Sequence, residues 1–262
     1  MRRFALIGEK LGHSASVPIH REIWRQLGIT ADYRLVEIPR DNFVPRVQAL
    51  LREVDGFNIT IPYKQDIMPL LDSVDPVAQA MGAVNTVICG DTCRGCNTDA
   101  PGLMAMLRHH GLDPAGQAAY ILGTGGVSKA ARYALEAMGA ASVTFVSRTP
   151  TGDAISYDDL AHTGSGLIIN CTPAGMYPHT EGCPLTAGQL AELMPRVTGI
   201  ADTIYNPPET VLTAVARLAG VPACTGLYML VDQAVEAERR WFPDIDIPAD
   251  MTARVLKELK LF

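Results

Sequence analysis

Ala118-Ala119-Tyr120-Ile121-Leu122-Gly123-Thr124-Gly125-Gly126-Val127 is the stretch that decides the fold. Its first five residues form a short apolar run that fits a strand buried on both faces of a parallel sheet. Beyond the glycines, Val127, Ala130, Ala131, Ala134, Leu135 and Met138 recur at helical spacing, giving a narrow face of mostly small residues that Gly139 stops. Ser142–Val146 follows as the next strand. Strand, Gly-x-Gly-Gly and helix within a unit of about 30 residues is the arrangement in which backbone N–H groups and a helix N-terminus meet a pyrophosphate. The bland alternative is a βα turn that uses glycine for positive φ.

The end of the second strand selects the dinucleotide. An NAD site carries Asp or Glu there to hold the ribose 2′-hydroxyl, whereas this chain has Ser147-Arg148-Thr149. A carboxylate would repel a 2′-phosphate and Arg148 would pair with one, so the residues predict NADP. Asp153, five residues past Arg148, acts in the opposite direction. A solvated strand-end charge is the dull reading of Arg148.

Outward from this unit, residues 167–170 and 200–205 repeat the strand signal, and a helix is predicted near 209–218. Upstream runs a βαβ rhythm of its own: a strand at 4–8, a helix carrying Ile19, Ile23, Trp24 and Leu27 that Gly28 stops, and a strand at 34–38. A helix follows Asp41, with strands at 57–61 and 84–89. From Tyr228 onward the chain reads as helical. The predicted fold is α/β in two lobes, an N-terminal α/β substrate-binding lobe over 1–101 and a Rossmann-like dinucleotide-binding lobe over 102–227. The helices of 228–262 are expected to return to the first lobe.

Among 262 residues, 48% are apolar and 19% charged, and Lys plus Arg (22) against Asp plus Glu (28) leaves a net charge of −6. No basic block is present, so nucleic acid is an unexpected partner. An anionic small molecule needs only a few local donors. No apolar run reaches the ~18 residues of a membrane span, and Glu9 and Lys10 end the first apolar stretch too early for a signal peptide. A cytoplasmic protein, monomer or homodimer, is expected. Six cysteines are too few for a disulfide scaffold in a chain of this length. Cys93-Arg94-Gly95-Cys96 lacks a second ligand pair at zinc spacing, so no metal is predicted, and His109-His110 reads as a surface helix end.

Four patches of the first lobe carry polar residues that packing does not require: Gly12-His13-Ser14-Ala15-Ser16, Asn58-Ile59-Thr60-Ile61-Pro62-Tyr63-Lys64, Gly82-Ala83-Val84-Asn85-Thr86-Val87 and Gly95-Cys96-Asn97-Thr98-Asp99-Ala100-Pro101-Gly102. With these patches the sequence resembles the shikimate dehydrogenase family. The resemblance continues through 121–126, Asn170-Cys171-Thr172-Pro173-Ala174-Gly175-Met176, Ile204-Tyr205-Asn206-Pro207 and Gly226-Leu227-Tyr228-Met229-Leu230-Val231-Asp232-Gln233, in order along nearly the whole chain.

The resemblance implies reversible NADPH-dependent reduction of 3-dehydroshikimate to shikimate in aromatic amino-acid biosynthesis. It assigns Ser14 and Ser16 to the substrate carboxylate, and Thr60, Asn85, Asp99, Tyr205 and Gln233 to its hydroxyls. Lys64 is the implied catalytic residue, paired with Asp99. On the cofactor side it implies Gly123, Thr124, Gly125, Gly126 and Val127 at the pyrophosphate, Ser147, Arg148 and Thr149 at the 2′-phosphate, and Thr203 and Gly226 near the nicotinamide.

These residue types suit the chemistry. Ser14 and Ser16, two apart on an extended segment, would point both hydroxyls the same way. Hydride addition to a ketone leaves an alkoxide that must gain a proton, and Lys64, at an expected strand-to-helix turn, is placed to donate it, with Asp99 holding the ammonium. Dull readings stand beside these: a solvated lysine, an Asp99 helix cap, a chain-turning Asn85, a core Tyr205. Three departures from the family pattern occur. Val17 precedes Pro18 where proline usually follows the second serine directly, and Arg21 replaces a usual Asn; no second base follows Thr149; and Tyr63 stands where His is common. A quinate-using enzyme with relaxed cofactor use and a non-catalytic NADP-binding regulator are the alternatives.

Overall fold

The computed structural model describes residues 1–12 and 14–259. His13 of the first serine patch and the last three positions of the expected C-terminal segment lie outside the described residues. The chain divides into two compact units, Met1–Asp99 together with the segment from Val231 onward, and Ala100–Leu230.

The first unit contains β1 (Arg2–Gly8), α1 (Ser16–Leu27), β2 (Ala31–Glu37), α2 (Phe43–Glu53), β3 (Gly56–Ile59), β4 (Ser73–Val74), α3 (Pro76–Met81), β5 (Thr86–Ile88) and β6 (Arg94–Cys96). α4 (Asp99–His109) starts at its boundary. The strand order is β2-β1-β3-β5-β6-β4. β1 runs parallel to β2 and β3, whereas β5 is antiparallel to both β3 and β6. That reversal has a positional consequence. The carboxyl ends of β1, β3 and β6 and the start of β5 all fall on one edge of the sheet, and every candidate residue of this unit before residue 100 follows or precedes one of those four ends.

α1 forms because Ile19, His20, Ile23 and Trp24 share a buried face, and Gly28 closes it at φ 67°, returning its N–H to Trp24 O. The unit's core combines Phe57, Ile59, Tyr63, Val84 and Val87 with Phe43, Val47 and Leu50 of α2.

The second unit contains β7 (Ala118–Leu122), α5 (Gly126–Ala137), β8 (Ser142–Val146), α6 (Tyr157–Thr163), β9 (Gly166–Asn170), α7 (Ala187–Leu193), β10 (Val197–Asp202), α8 (Val211–Leu218) and β11 (Ala223–Cys224). Its sheet is wholly parallel in the order β11-β10-β9-β7-β8. Chain order reverses at β7, and ligands of open α/β sheets bind outside the carboxyl ends of the strands at such a switch point. α9 (Leu227–Trp241) starts in this unit and α10 (Met251–Glu258) lies in the first. Ala237, Trp241 and Phe242 pack with Phe4, Leu6, Trp24 and Tyr33, and Trp241 Nε1 donates to Val87 O at 3.0 Å. A Cβ on Gly56 would lie 2.4 Å from Trp241 Nε1, so the strand must carry glycine where that indole crosses it. Among the described residues no helix is long and apolar enough to cross a membrane.

Two predicted strands are shorter than expected, and a third, β10, keeps its six residues but lies three positions earlier. β3 stops at Ile59 because Thr60 opens a turn, its carbonyl accepting from Tyr63 N. β5 begins only at Thr86. β10 stops at Asp202, whose own carboxylate takes the Ile204 N–H at 3.0 Å and draws the backbone out of the ladder. Thr60, Asn85, Thr203 and Tyr205 therefore stand on loops at strand ends.

Candidate active site

In the first unit, Lys64 Nζ donates to Asp99 Oδ2 at 2.6 Å, with side chains only 14% and 11% exposed. Asn85 Nδ2 donates to the other oxygen, Asp99 Oδ1, at 2.9 Å and to Thr98 Oγ1 at 3.0 Å. Asn85 Oδ1 accepts from Thr98 N at 2.8 Å. Asp99 N donates to Asn97 Oδ1, and Asn97 Nδ2 to Ala83 O. The carboxylate of Asp99, the first residue of α4, is thus held by an ammonium and an amide. Lys64 departs from expectation in its surroundings. Residues 61–67 form successive turns, and only a short 3₁₀ turn, Met68–Leu70, follows. Val84 N donates to Lys64 O at 2.8 Å, which ties this turn to the segment carrying Asn85.

Ser14 and Ser16 do come together, but not by strand alternation. Ala15 caps α1 with φ −83° and ψ 0°, and Ser16 is the first helical residue. The expected extended segment is a helix entry, because Ser14 N already turns back to Leu11 O. Ser14 Oγ lies 3.1 Å from Ser16 Oγ and accepts from Ser16 N at 3.2 Å, so both hydroxyls still share one location. Gln233 Oε1 is 3.4 Å from Thr98 Oγ1, placing α9 beside the Asn85 cluster. Thr60, half-buried, donates its N–H to Ile7 O at 2.9 Å.

In the second unit the candidate residues follow the carboxyl ends of β7, β8, β10 and β11. Gly123 takes φ +95° and donates its N–H to Val146 O at 2.9 Å. Gly125 precedes α5 with no side-chain cap, and a Cβ on Gly125 or Gly126 would meet nothing within 4 Å. The first N–H groups of this 12-residue helix, Gly126 and Val127 foremost, have no intrahelical acceptor. Open space before an uncapped helix start fits a pyrophosphate. Arg148 and Thr149 are exposed, with Thr149 N donating to Ser147 Oγ at 3.2 Å. The guanidinium of Arg148 acts on the Tyr157 phenol, partly offsetting the burial that pushes that group's pKa up. Thr203 N and Oγ1 both donate to Asn170 O at 2.9 Å. Gly226 approaches that backbone so closely that a Cβ would lie 2.2 Å from Thr203 O. Tyr205 is half-buried, and burial raises its phenol pKa.

A family profile described as "Shikimate dehydrogenase substrate binding domain" matches residues 6–87. The shikimate dehydrogenase (NADP(+)) of Clostridium beijerinckii is 33% identical over 252 residues, covering 92% of each chain. The chain belongs to the shikimate dehydrogenase family. Two solved structures of shikimate dehydrogenases extend the match to the fold. A chorismate mutase/shikimate 5-dehydrogenase fusion protein from Clostridium acetobutylicum has a TM-score of 0.92 at 35% identity, covering 98% of this chain and 96% of that one. The Thermus thermophilus shikimate 5-dehydrogenase in complex with NADP(H) and shikimate has a TM-score of 0.86 at 31% identity, covering 99% and 100%. The fold is accordingly the α/β architecture of shikimate dehydrogenases, with a substrate-binding lobe and a Rossmann-like lobe.

Of the departures from the shikimate dehydrogenase pattern, Tyr63 has a structural account. Its ring is 1% exposed, stacks on Phe43 at 4.2 Å between centroids, and donates its hydroxyl to Ile38 O at 2.5 Å. It belongs to the core of the first unit. Sequence reasoning did not assign roles to Asn58, Thr86 and Thr98, buried polar residues that contact Asn85 or each other. The available signal was Asn58 between Phe57 and Ile59 in a short apolar strand, since a buried amide demands partners.

Asp232, next to Gln233, accepts from Thr252 Oγ1 at 2.7 Å, and burial pushes its pKa up to about 6. The folded carboxyl holds its proton more tightly than the unfolded chain does, so stability falls as pH rises from about 4 to about 6 and stays reduced above that. Asp232→Asn is expected to stabilise the protein by about 1–3 kcal/mol at pH 8, and by little at pH 4. Urea unfolding at the two pH values measures this, and an equal effect at both would contradict it.

Proposed function

We propose that this chain catalyses the reversible, NADPH-dependent reduction of 3-dehydroshikimate to shikimate. The buried-edge pair Lys64–Asp99 carries the reading, since it supplies a proton donor held at 2.6 Å by a carboxylate, which a cofactor-binding regulator has no need of. NADPH supplies the hydride when bound. Lys64 gives the proton to the oxygen of the former carbonyl, and in the reverse direction receives it. Asp99 and Asn85 fix the ammonium and the substrate hydroxyls, with Thr60, Gln233 and Tyr205 as further hydroxyl partners. Ser14 and Ser16 take the carboxylate. The Gly123-Thr124-Gly125-Gly126-Val127 loop takes the pyrophosphate, Ser147, Arg148 and Thr149 the 2′-phosphate, and Thr203 and Gly226 border the nicotinamide. The same reading makes the protein a cytoplasmic enzyme of aromatic amino-acid biosynthesis.

Initial rates of NADP⁺ and NAD⁺ reduction with shikimate and with quinate test this. The highest kcat/KM is expected for shikimate with NADP⁺; no turnover of either acid would remove the assignment. Arg148 sets the cofactor margin. One charge-assisted contact to a 2′-phosphate contributes about 1.5–3 kcal/mol before solvent screening, so Arg148→Ala is expected to lower kcat/KM for NADP⁺ by about tenfold. The value for NAD⁺ should stay within about twofold. Asp153→Lys is expected to widen the margin, and a loss shared equally by both cofactors would move Arg148 away from the ribose.

A further inference from the structure

A file of buried polar side chains crosses the first sheet beneath the candidate site. Tyr33 on β2 is 2% exposed and donates to Asn58 Oδ1 on β3 at 2.7 Å. Asn58 Nδ2 donates at 3.0 Å to Thr86 Oγ1, its register partner on β5. Thr86 Oγ1 donates to Asn85 Oδ1 at 3.1 Å, and Asn85 Nδ2 reaches Asp99.

The direction of every link follows from one end. Thr98 N can only donate, so Asn85 Oδ1 faces it and Asn85 Nδ2 faces Asp99. Thr86 then donates toward Asn85 and accepts from Asn58 Nδ2, which turns Asn58 Oδ1 to Tyr33. A tyrosine hydroxyl is the donor this last acceptor requires. Packed around Tyr33 are His20 and Trp24 of α1 and Trp241 of α9, with the His20 ring, itself paired with Glu238, stacked on it at 4.2 Å.

We propose that Tyr33 is a positioning residue for the reduction. Its hydroxyl, acting through Asn58 and Thr86, holds Asn85 in the orientation that the Thr98 N–H selects, and with it steadies the Asp99 carboxylate that holds Lys64. The proposal rests on the functional reading above for its catalytic consequence, but the positioning itself is a property of the ligand-free protein.

Tyr33→Phe keeps the ring on His20 and removes one oxygen. In ¹³C-lysine-labelled protein without ligands, the Lys64 Cε resonance is expected to move, and kcat with shikimate and NADP⁺ to fall about tenfold while KM for NADP⁺ stays unchanged. Thr86→Val should reproduce both effects, and Thr86→Ser, which retains a hydroxyl, should restore both. A lowered unfolding temperature with an unmoved Lys64 resonance would overturn the proposal by reducing Tyr33 to a packing role. Shikimate turnover by the unaltered protein is measured alongside. Its absence would sink the functional reading, while the Lys64 resonance alone would still decide the positioning.

Discussion

Lys64→Ala is expected to lower kcat for shikimate oxidation by roughly 10²–10⁴, about 3–5 kcal/mol of barrier, with KM for shikimate nearly unchanged. The magnitude is that of a positioned general acid or base. The geometry supports a clean substitution, because among the described residues the ammonium pairs with the Asp99 carboxylate alone, and the Lys64 backbone carbonyl, not its side chain, anchors the turn to Val84. Asp99→Asn should lose rate as well, since an amide cannot hold the ammonium by charge. Steady-state kinetics of both variants decide the matter. A change confined to KM for Lys64→Ala would take Lys64 out of proton transfer, and a neutral Asp99→Asn would make Asp99 a structural contact.

His20→Leu is expected to destabilise the fold by about 3–5 kcal/mol, the effect of removing one partner from a buried pair. His20 Nδ1 lies 2.5 Å from Glu238 Oε1, and the two side chains are 1% and 0% exposed. Among the described residues Glu238 Oε2 already has no hydrogen-bond partner, so without the imidazole the whole carboxylate is stranded. Adding Glu238→Met to His20→Leu should return most of the loss, because apolar replacement of both members removes the stranded charge. Urea unfolding of the single and double variants measures this. A single variant within about 1 kcal/mol of the unaltered protein would show that the pair contributes little.

Much of this was legible in the sequence, for identifiable reasons. The strands Ala118–Leu122 and Ser142–Val146 match their predicted bounds, the first because a largely buried parallel strand is an apolar run cut off by glycine, the second because its β-branched and aromatic residues mark a strand even at the half-exposed sheet edge. Gly28 marked the end of α1 through its positive φ. α6 and α7 escaped notice although each opens with a capping box, Ser156 with Asp159 and Thr186 with Gln189, because both helices have only seven residues and little periodicity. In the candidate site, Lys64, Asp99 and Asn85 stood out as polar residues in motifs. The two serine hydroxyls lie together as expected but at a helix entry in place of the expected extended segment, since spacing alone does not separate two residues on a strand from two at a helix entry. Tyr33 and Thr86 were illegible, because their polarity matters only through β-register partners distant in sequence.

The first unit is built from two stretches separated by the whole of the second, and this bears on how the protein is made. On the ribosome, β1, α1 and β2 emerge early, yet Trp241 against Gly56 and Glu238 against His20 arrive only with α9. Until then the Phe4, Trp24 and Tyr33 surface is open and His20 has no acid beside it. The parallel sheet of residues 100–230, contiguous in the chain, has its own hydrophobic core without waiting for that closure. The later sheet is therefore expected to complete its core first during synthesis, while the earlier one keeps apolar surface exposed until its last helices dock.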